Sequence, residues 1–168
     1  MSGAELLDVA SAIAALARAA GATFIVNDRA DIAALAGADG VHVGQDDLSP
    51  RHVRRVVGDT AIVGLSTHTL EHVDLALDEP ISYFAIGPVF GTATKATGYD
   101  PIGLDRVAEA ARRGRARGLP LVAIGGITLD RAPAVIEAGA ASVAVISDLL
   151  DGGEPEARVR AYTERLSR

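Results

Sequence analysis

Lys95 is the only lysine among sixteen Lys and Arg side chains, and Asn27 is the only asparagine. Both stand where an apolar run meets a loop, in Phe24-Ile25-Val26-Asn27-Asp28 and in Ile86-Gly87-Pro88-Val89-Phe90-Gly91-Thr92-Ala93-Thr94-Lys95. Arginine is a rigid fork and lysine a point charge on a thin stem, so a single retained ammonium suggests a site where that difference matters. Compositional bias with one chance survivor is the plainer alternative. The segment Gly91-Thr92-Ala93-Thr94-Lys95 puts two hydroxyls, backbone N–H groups and an ammonium within five residues. That chemistry suits a cluster of phosphate oxygens, although the spacing is not that of a Walker motif.

Carboxylates follow two other apolar runs, as Asp28 after Val26-Asn27 and as Asp47 in Gly44-Gln45-Asp46-Asp47. If those runs are neighbouring strands, about 4.8 Å apart, Asp28 and Asp47 can share a hard cation. Mg²⁺ commonly takes one or two carboxylates and completes its shell with substrate phosphates and water. Capping of the next helix by either Asp is the alternative. Gly125-Gly126-Ile127 allows a close backbone approach to a ligand, and Ile146-Ser147 places a hydroxyl and N–H groups at a helix start. Each is weak alone; together they suggest a phosphate cradle. In Ser66-Thr67-His68-Thr69, His68 titrates in the range useful for acid–base work, but no Asp is placed to orient it. Capping of the following helix by Ser66, Thr67 or Thr69 is the competing reading. His42 reads as a hydrogen-bonded interior or rim residue, and His52 and His72 as helix-surface residues.

These residues must be positioned by a regular alternation. Short Val/Ile-rich runs at Thr23–Val26, Gly40–Val43, Ala61–Leu65, Tyr83–Ile86, Leu121–Ile124 and Ser142–Val145 are apolar nearly throughout, as strands buried on both faces are. Helical patterns occupy Glu5–Ala19, Ala30–Ala36, Pro50–Val57, Leu70–Leu77, Gly103–Arg117, Leu129–Ala138 and Pro155–Leu166. Strand–helix alternation predicts a parallel sheet with right-handed crossovers. Ala36-Gly37-Ala38-Asp39-Gly40-Val41-His42-Val43 is echoed by Ala138-Gly139-Ala140-Ala141-Ser142-Val143-Ala144-Val145, which supports a repeating architecture. The motif residues all fall at carboxyl ends of strands, where barrels and open α/β sheets both bind ligands. The leading helix favours a (β/α)8 TIM-barrel type that lacks its first two strands and first helix, six parallel strands remaining in one domain over residues 1–168.

Bulk properties narrow the function classes. The 168 residues carry a net charge of −6, 4% aromatics and no Cys. A nucleic-acid footprint is therefore not expected, and disulfide, thiol and thiolate–metal chemistry are excluded. The cluster Arg112, Arg113, Arg115 and Arg117 reads as a solvated helix terminus rather than an anion site. Without a signal peptide or a long apolar run, the expectation is a soluble cytoplasmic protein with no membrane partner.

Taken in order, Phe24-Ile25-Val26-Asn27-Asp28, Gly40-Val41-His42-Val43-Gly44-Gln45-Asp46-Asp47, Gly64-Leu65-Ser66-Thr67-His68, Gly87-Pro88-Val89-Phe90 with Thr92-Ala93-Thr94-Lys95, Ala123-Ile124-Gly125-Gly126-Ile127 and Val145-Ile146-Ser147 resemble the thiamine-phosphate synthase family, TIM-barrel enzymes that also include the thiazole tautomerases. The resemblance runs from about Val9 to the C-terminus. It implies transfer of an aminopyrimidine methyl group from its diphosphate to thiazole phosphate, giving thiamine phosphate and pyrophosphate. It further implies that Asp28 and Asp47 hold Mg²⁺, and that Asn27, Ser66 and Lys95 bind the pyrimidine diphosphate, Ser66 and Lys95 being the catalytic candidates. Thr92, Ala93, Thr94, Gly126, Ile146 and Ser147 would bind the thiazole phosphate.

One departure stands against the pattern. Family members open with a strand, a helix and a second strand ending in a Gln-x-Arg-x-Lys type motif that contacts the diphosphate, and no such motif occurs here. The expectation is a start downstream of the true one, or a degenerate remnant, with weakened diphosphate binding. Two unpaired parallel edges would then invite association, including a homo-oligomer. The alternatives are a thiazole phosphate tautomerase with His68 as base, and a non-catalytic binder of thiazole or thiamine phosphate.

Overall fold

The computed structural model describes residues 1–91 and 98–167. The chain divides into two compact units, Met1–Ser66 with Asp78–Tyr83, and Thr67–Leu77 with Phe84–Arg168.

The first unit opens with α1 (Gly3–Ala20), which begins in a capping box: the Ser2 hydroxyl accepts from Glu5 N–H, and Glu5 Oε2 accepts from Ser2 N–H at 2.7 Å. It continues through β1 (Ile25–Asn27), α2 (Ala30–Ala36), β2 (Gly40–Val43), α3 (Pro50–Val57) and the body of β3 (Ile62–Thr67). β1 pairs in parallel with β2, Asn27 opposite His42, and β2 pairs in parallel with β3, His42 opposite Gly64. Val26, Val41, Val43, Val63 and Leu65 are buried along the strands, with Val53 of α3 against them in the core. Arg54 ties the far end together: its guanidinium donates to the carbonyls of Pro80 (2.9 Å), Asp59 (3.1 Å) and Ala61 (2.5 Å) and to Ser82 Oγ (3.2 Å). A point-like ammonium could not reach four such acceptors at once.

In the second unit, α4 (Leu70–Ala76) is followed by β4 (Tyr83–Ile86), α5 (Gly103–Ala116), β5 (Leu121–Ile124), α6 (Ala132–Glu137), β6 (Ser142–Ala144), α7 (Ser147–Leu150) and α8 (Pro155–Leu166). β4, β5 and β6 pair in parallel and in chain order. Phe84, Ile86, Val89, Val107, Ala110, Leu121, Ala123 and Val135 form the core.

The expected strands all form, with shifts that have local causes. β3 runs to Thr67, two residues past its expected end at Leu65, because the Thr67 hydroxyl donates to the Ala85 carbonyl at 2.8 Å and is fully satisfied where it is buried. Ser66 and Thr67 are therefore strand residues. Only Thr69 caps α4, accepting from His72 N–H. α6 starts at Ala132, not Leu129, since Thr128–Arg131 form a turn and Pro133 suits a first helical turn. The helix start expected at Ile146-Ser147 forms as the one-turn helix α7, which ends at Leu150.

α7 and α8 are joined by a buried carboxylate. Asp148, 8% exposed, accepts from Arg158 Nη2 (2.8 Å) and Nε (3.0 Å), from Tyr162 Oη (2.6 Å) and from Leu129 N–H (3.2 Å). The Arg158 guanidinium holds this carboxyl below the usual carboxylate range against the opposing effect of burial. Because the unfolded chain then binds more protons, the stabilisation is complete above the unfolded value of about 3.9 and is lost as pH falls through the lower folded value. Asp148→Asn should lower the unfolding free energy by about 3 kcal/mol near neutral pH, read as a urea midpoint. The parent should lose that advantage at acid pH, and equal midpoints near neutrality would contradict this role.

Candidate active site

In the first unit the polar residues gather at the carboxyl ends of β1, β2 and β3. Asn27 closes β1 and is exposed. Asp28 follows with φ 65°, the left-handed region that Asp and Asn tolerate better than other side chains. Its N–H donates to the His42 carbonyl at 2.8 Å, extending the β1–β2 ladder by one step. Asp28 does not cap α2, whose N-cap is Arg29 without a side-chain cap. Asp47 does not cap α3 either. Its Oδ2 accepts from Gly44 N–H at 2.8 Å and pins the turn after β2. The helix-capping alternative is thus set aside for both carboxylates.

Ser66 is held at both polar ends. Gln45 Nε2 donates to its carbonyl at 2.6 Å, and its hydroxyl lies 2.8 Å from His42 Nε2. His42 Nδ1 lies 2.8 Å from Tyr83 Oη, and the two rings stack with centroids 5.4 Å apart. His42 is the hydrogen-bonded rim residue expected, but Tyr83 and Gln45 were missed. A phenol hydroxyl at the head of the otherwise apolar strand Tyr83-Phe84-Ala85-Ile86 was the available signal.

Among the described residues no group of three or more His, Asp or Glu side chains is arranged for a metal ion. A cation held by this unit would rest on Asp28 and Asp47, with water and phosphate oxygens completing its shell. That donor set suits Mg²⁺ and does not suit a zinc site, which requires nitrogen or sulfur ligands from the protein.

The second unit supplies a different surface. His68 Nδ1 lies 2.7 Å from the Gly87 carbonyl, which can only accept, so Nδ1 carries the proton and Nε2 is left as the basic atom of the neutral ring. Tyr99 stacks on His68 at 4.2 Å, and His72 meets both rings edge-on. His72 is accordingly half-buried rather than on the helix surface as expected. The Gly87–Pro88 peptide is cis. Gly125 and Gly126 both have positive φ, and a Cβ on Gly126 would stand 2.5 Å from the Gly91 carbonyl oxygen, so only glycine fits this approach. Phe90 N–H donates to the Gly125 carbonyl, and Arg131 lies over the Phe90 ring while donating to the Gly126 carbonyl.

Ile146, 55% exposed, is the N-cap of α7, and Ser147 is its first residue and is exposed. With four residues, α7 has too few aligned peptide dipoles to act as a strong anion site alone. Its contribution is one hydroxyl and local N–H groups. Asn27, Asp28, Asp47 and Ser66 thus fall in the first unit, and Gly126, Ile146 and Ser147 in the second, each at or just past the end of a strand. Thr92, Ala93, Thr94 and Lys95 lie outside the described residues. The arginine cluster is engaged in the protein: Arg112 and Arg113 pair with Glu109, Arg113 also with Asp74, and Arg115 donates to the Gly139 carbonyl.

Known proteins resemble this arrangement over nearly its whole length. A family profile described as thiamine monophosphate synthase matches residues 1–149. The thiamine-phosphate synthase of Koribacter versatilis is 52% identical over 144 residues, covering 86% of this chain and 66% of that protein. That of Roseiflexus sp. (strain RS-1) is 45% identical over 157 residues, covering 94% of this chain and 65% of that protein. The chain therefore spans about two thirds of the length of these relatives. A solved structure of thiamine phosphate pyrophosphorylase from Pyrococcus furiosus matches with a TM-score of 0.87 and 28% identity, over 99% of this chain and 80% of that one. With six parallel-paired strands, the ordered strand-end motifs and a profile match across most of its length, the chain belongs to the thiamine monophosphate synthase family.

Proposed function

We propose that this protein transfers an aminopyrimidine methyl group from its diphosphate to thiazole phosphate, forming thiamine phosphate and pyrophosphate in the cytoplasm. The observation that carries the reading is the family match over residues 1–149, together with strand-end residues of the right chemistry in each unit. In the same proposal the six strands correspond to the last six of a single (β/α)8 barrel domain. No helix among the described residues is long and apolar enough to cross a membrane.

The division of residues fits a division of labour. Asp28 and Asp47 would hold Mg²⁺, which when bound neutralises diphosphate charge and so favours its departure. Asn27, Ser66 and Lys95 bind the pyrimidine diphosphate. Breaking the carbon–oxygen bond leaves a pyrimidinyl-methyl cation and a highly charged leaving group, so the residues needed are those that stabilise charge where it develops. Lys95 supplies a compact cation for that purpose and Ser66 a hydroxyl. Thr92, Ala93, Thr94, Gly126, Ile146 and Ser147 orient the thiazole phosphate so that its ring nitrogen captures the carbon, a gain in proximity rather than in acid–base chemistry.

A second reading, thiazole phosphate tautomerisation, is favoured by one feature. The Gly87 carbonyl fixes the His68 tautomer and leaves Nε2 able to accept a proton.

Incubation with both substrates and Mg²⁺ should release pyrophosphate and form thiamine phosphate. Isomerisation of the thiazole phosphate without pyrophosphate release would favour the second reading, and saturable binding without turnover would overturn both. Lys95→Ala should lower turnover roughly 10²–10³-fold, as for loss of one charge-stabilising donor; a change under about threefold would be too small for that role. Asp28→Asn should raise the Mg²⁺ concentration giving half-maximal pyrophosphate release by roughly tenfold or more. An unchanged Mg²⁺ titration curve would remove Asp28 from the metal site.

A further inference from the structure

The hydrogen-bonded line Tyr83–His42–Ser66 lies wholly within the first unit and is unusually constrained. His42 stands opposite Gly64 in the β2–β3 ladder. A Cβ on Gly64 would collide with Tyr83 Cζ and Oη and with His42 Nδ1, so both rings lie directly on the β3 backbone in space kept open by the missing side chain. Both ring nitrogens of His42 are engaged, at 2.8 Å each. The Ser66 carbonyl is taken by Gln45.

We propose that Tyr83 and His42 are positioning residues that orient Ser66 as a hydrogen-bond donor toward an anionic oxygen of the diphosphate substrate. The proposal rests on the reading of Ser66 as a diphosphate-binding residue and extends it to how that hydroxyl is set.

Two proton arrangements satisfy the line. In one, Tyr83 O–H donates to Nδ1 and Nε2–H donates to Ser66 Oγ. In the other, Ser66 O–H donates to Nε2 and Nδ1–H donates to Tyr83 Oη. A phenol is a far stronger acid than an aliphatic alcohol, hence the better donor to imidazole, and burial pushes the Tyr83 phenol up so that it keeps its proton. Tyr83 Oη has no other protein partner among the described residues, so in the second arrangement the phenol proton would have no protein acceptor among them. The first arrangement therefore wins. It occupies a lone pair of Ser66 Oγ with an N–H and leaves the serine proton directed outward. A serine so held suits an acceptor-only ligand such as phosphate oxygen and disfavours a ligand donor. A protonated imidazole gives the same result, because Nε2–H still donates to Ser66.

The test combines a spectroscopic and a binding readout. In protein carrying ¹⁵N-histidine, His42 should give the signature of the Nε2–H tautomer with Nδ1 as a hydrogen-bonded acceptor, and Tyr83→Phe should move the Nδ1 resonance toward that of a bare acceptor nitrogen. Pyrophosphate with Mg²⁺ serves as the probe in calorimetry. Ser66→Ala should weaken its binding roughly tenfold or more, the effect of losing one hydrogen bond to a charged group, and Tyr83→Phe or His42→Gln roughly threefold. In a Ser66→Ala background, Tyr83→Phe should have no further effect. An Nδ1–H tautomer of His42 in the parent overturns the relay, and so does an equal loss of binding with Ser66 already removed, which would mark Tyr83 as merely structural. Full pyrophosphate affinity in Ser66→Ala, with the Nε2–H tautomer present in the parent, instead overturns the diphosphate reading of Ser66, and the donor role with it.

Discussion

A parallel strand covered on both faces has almost no place for a polar side chain along its body, and this constraint orders everything else in the protein. Val41 and Val43 in β2, Val63 and Leu65 in β3, Phe84, Ala85 and Ile86 in β4 and Leu121 and Ala123 in β5 are buried. Chemistry is displaced to the strand ends, where Asn27, Asp28, Asp47, Gly126, Ile146 and Ser147 stand. The polar exceptions within strands are satisfied ones. Thr67 donates to the Ala85 carbonyl, and His42 uses both ring nitrogens. An unpaired polar group in either place would cost about 1–3 kcal/mol.

The uneven use of cations follows from the same demand for satisfied polar groups. Arg54 serves several carbonyls, Arg113 bridges Glu109, Asp74 and the Leu70 carbonyl, and Arg158 grips Asp148 with two nitrogens. These tasks need a planar fork with several donors. The single lysine stands apart from them in sequence, in a segment of hydroxyls and small residues suited to phosphate oxygens. Arginine here is largely a structural residue, and that gives the lone ammonium its meaning.

Ser66 shows how a weak sequence signal becomes a defined group. In the chain it is one of three hydroxyl residues within four positions, Ser66, Thr67 and Thr69, able to cap a helix, and capping was a reasonable expectation. The structure moves it into β3, gives its carbonyl to Gln45 and sets its hydroxyl against His42. Its setting then depends on residues 21, 24 and 17 positions away, Gln45, His42 and Tyr83, which no local pattern joins to it. Asp148 is the parallel case in the second unit. Nothing in Ile146-Ser147-Asp148-Leu149-Leu150 marks the carboxylate for burial, and its partners Arg158 and Tyr162 arrive only with α8.

Strand and helix order, the parallel arrangement, the strand-end placement of those candidate residues that are described and the family were legible from the sequence alone, because alternation of apolar runs with helical periods is a local property and six ordered motifs are specific together. Element ends were less legible: α6 began late at Ala132, and β3 ran on through Thr67, since a hydroxyl's choice between capping and strand pairing depends on which carbonyl a distant strand offers. What the tertiary structure decided was partnership. It put Tyr83 on His42 over Gly64, fixed the His68 tautomer through Gly87 and buried Asp148 between Arg158 and Tyr162. The physical reason is that a hydrogen bond is specified by position to within tenths of an ångström, whereas sequence spacing carries that precision only within a single helix or strand.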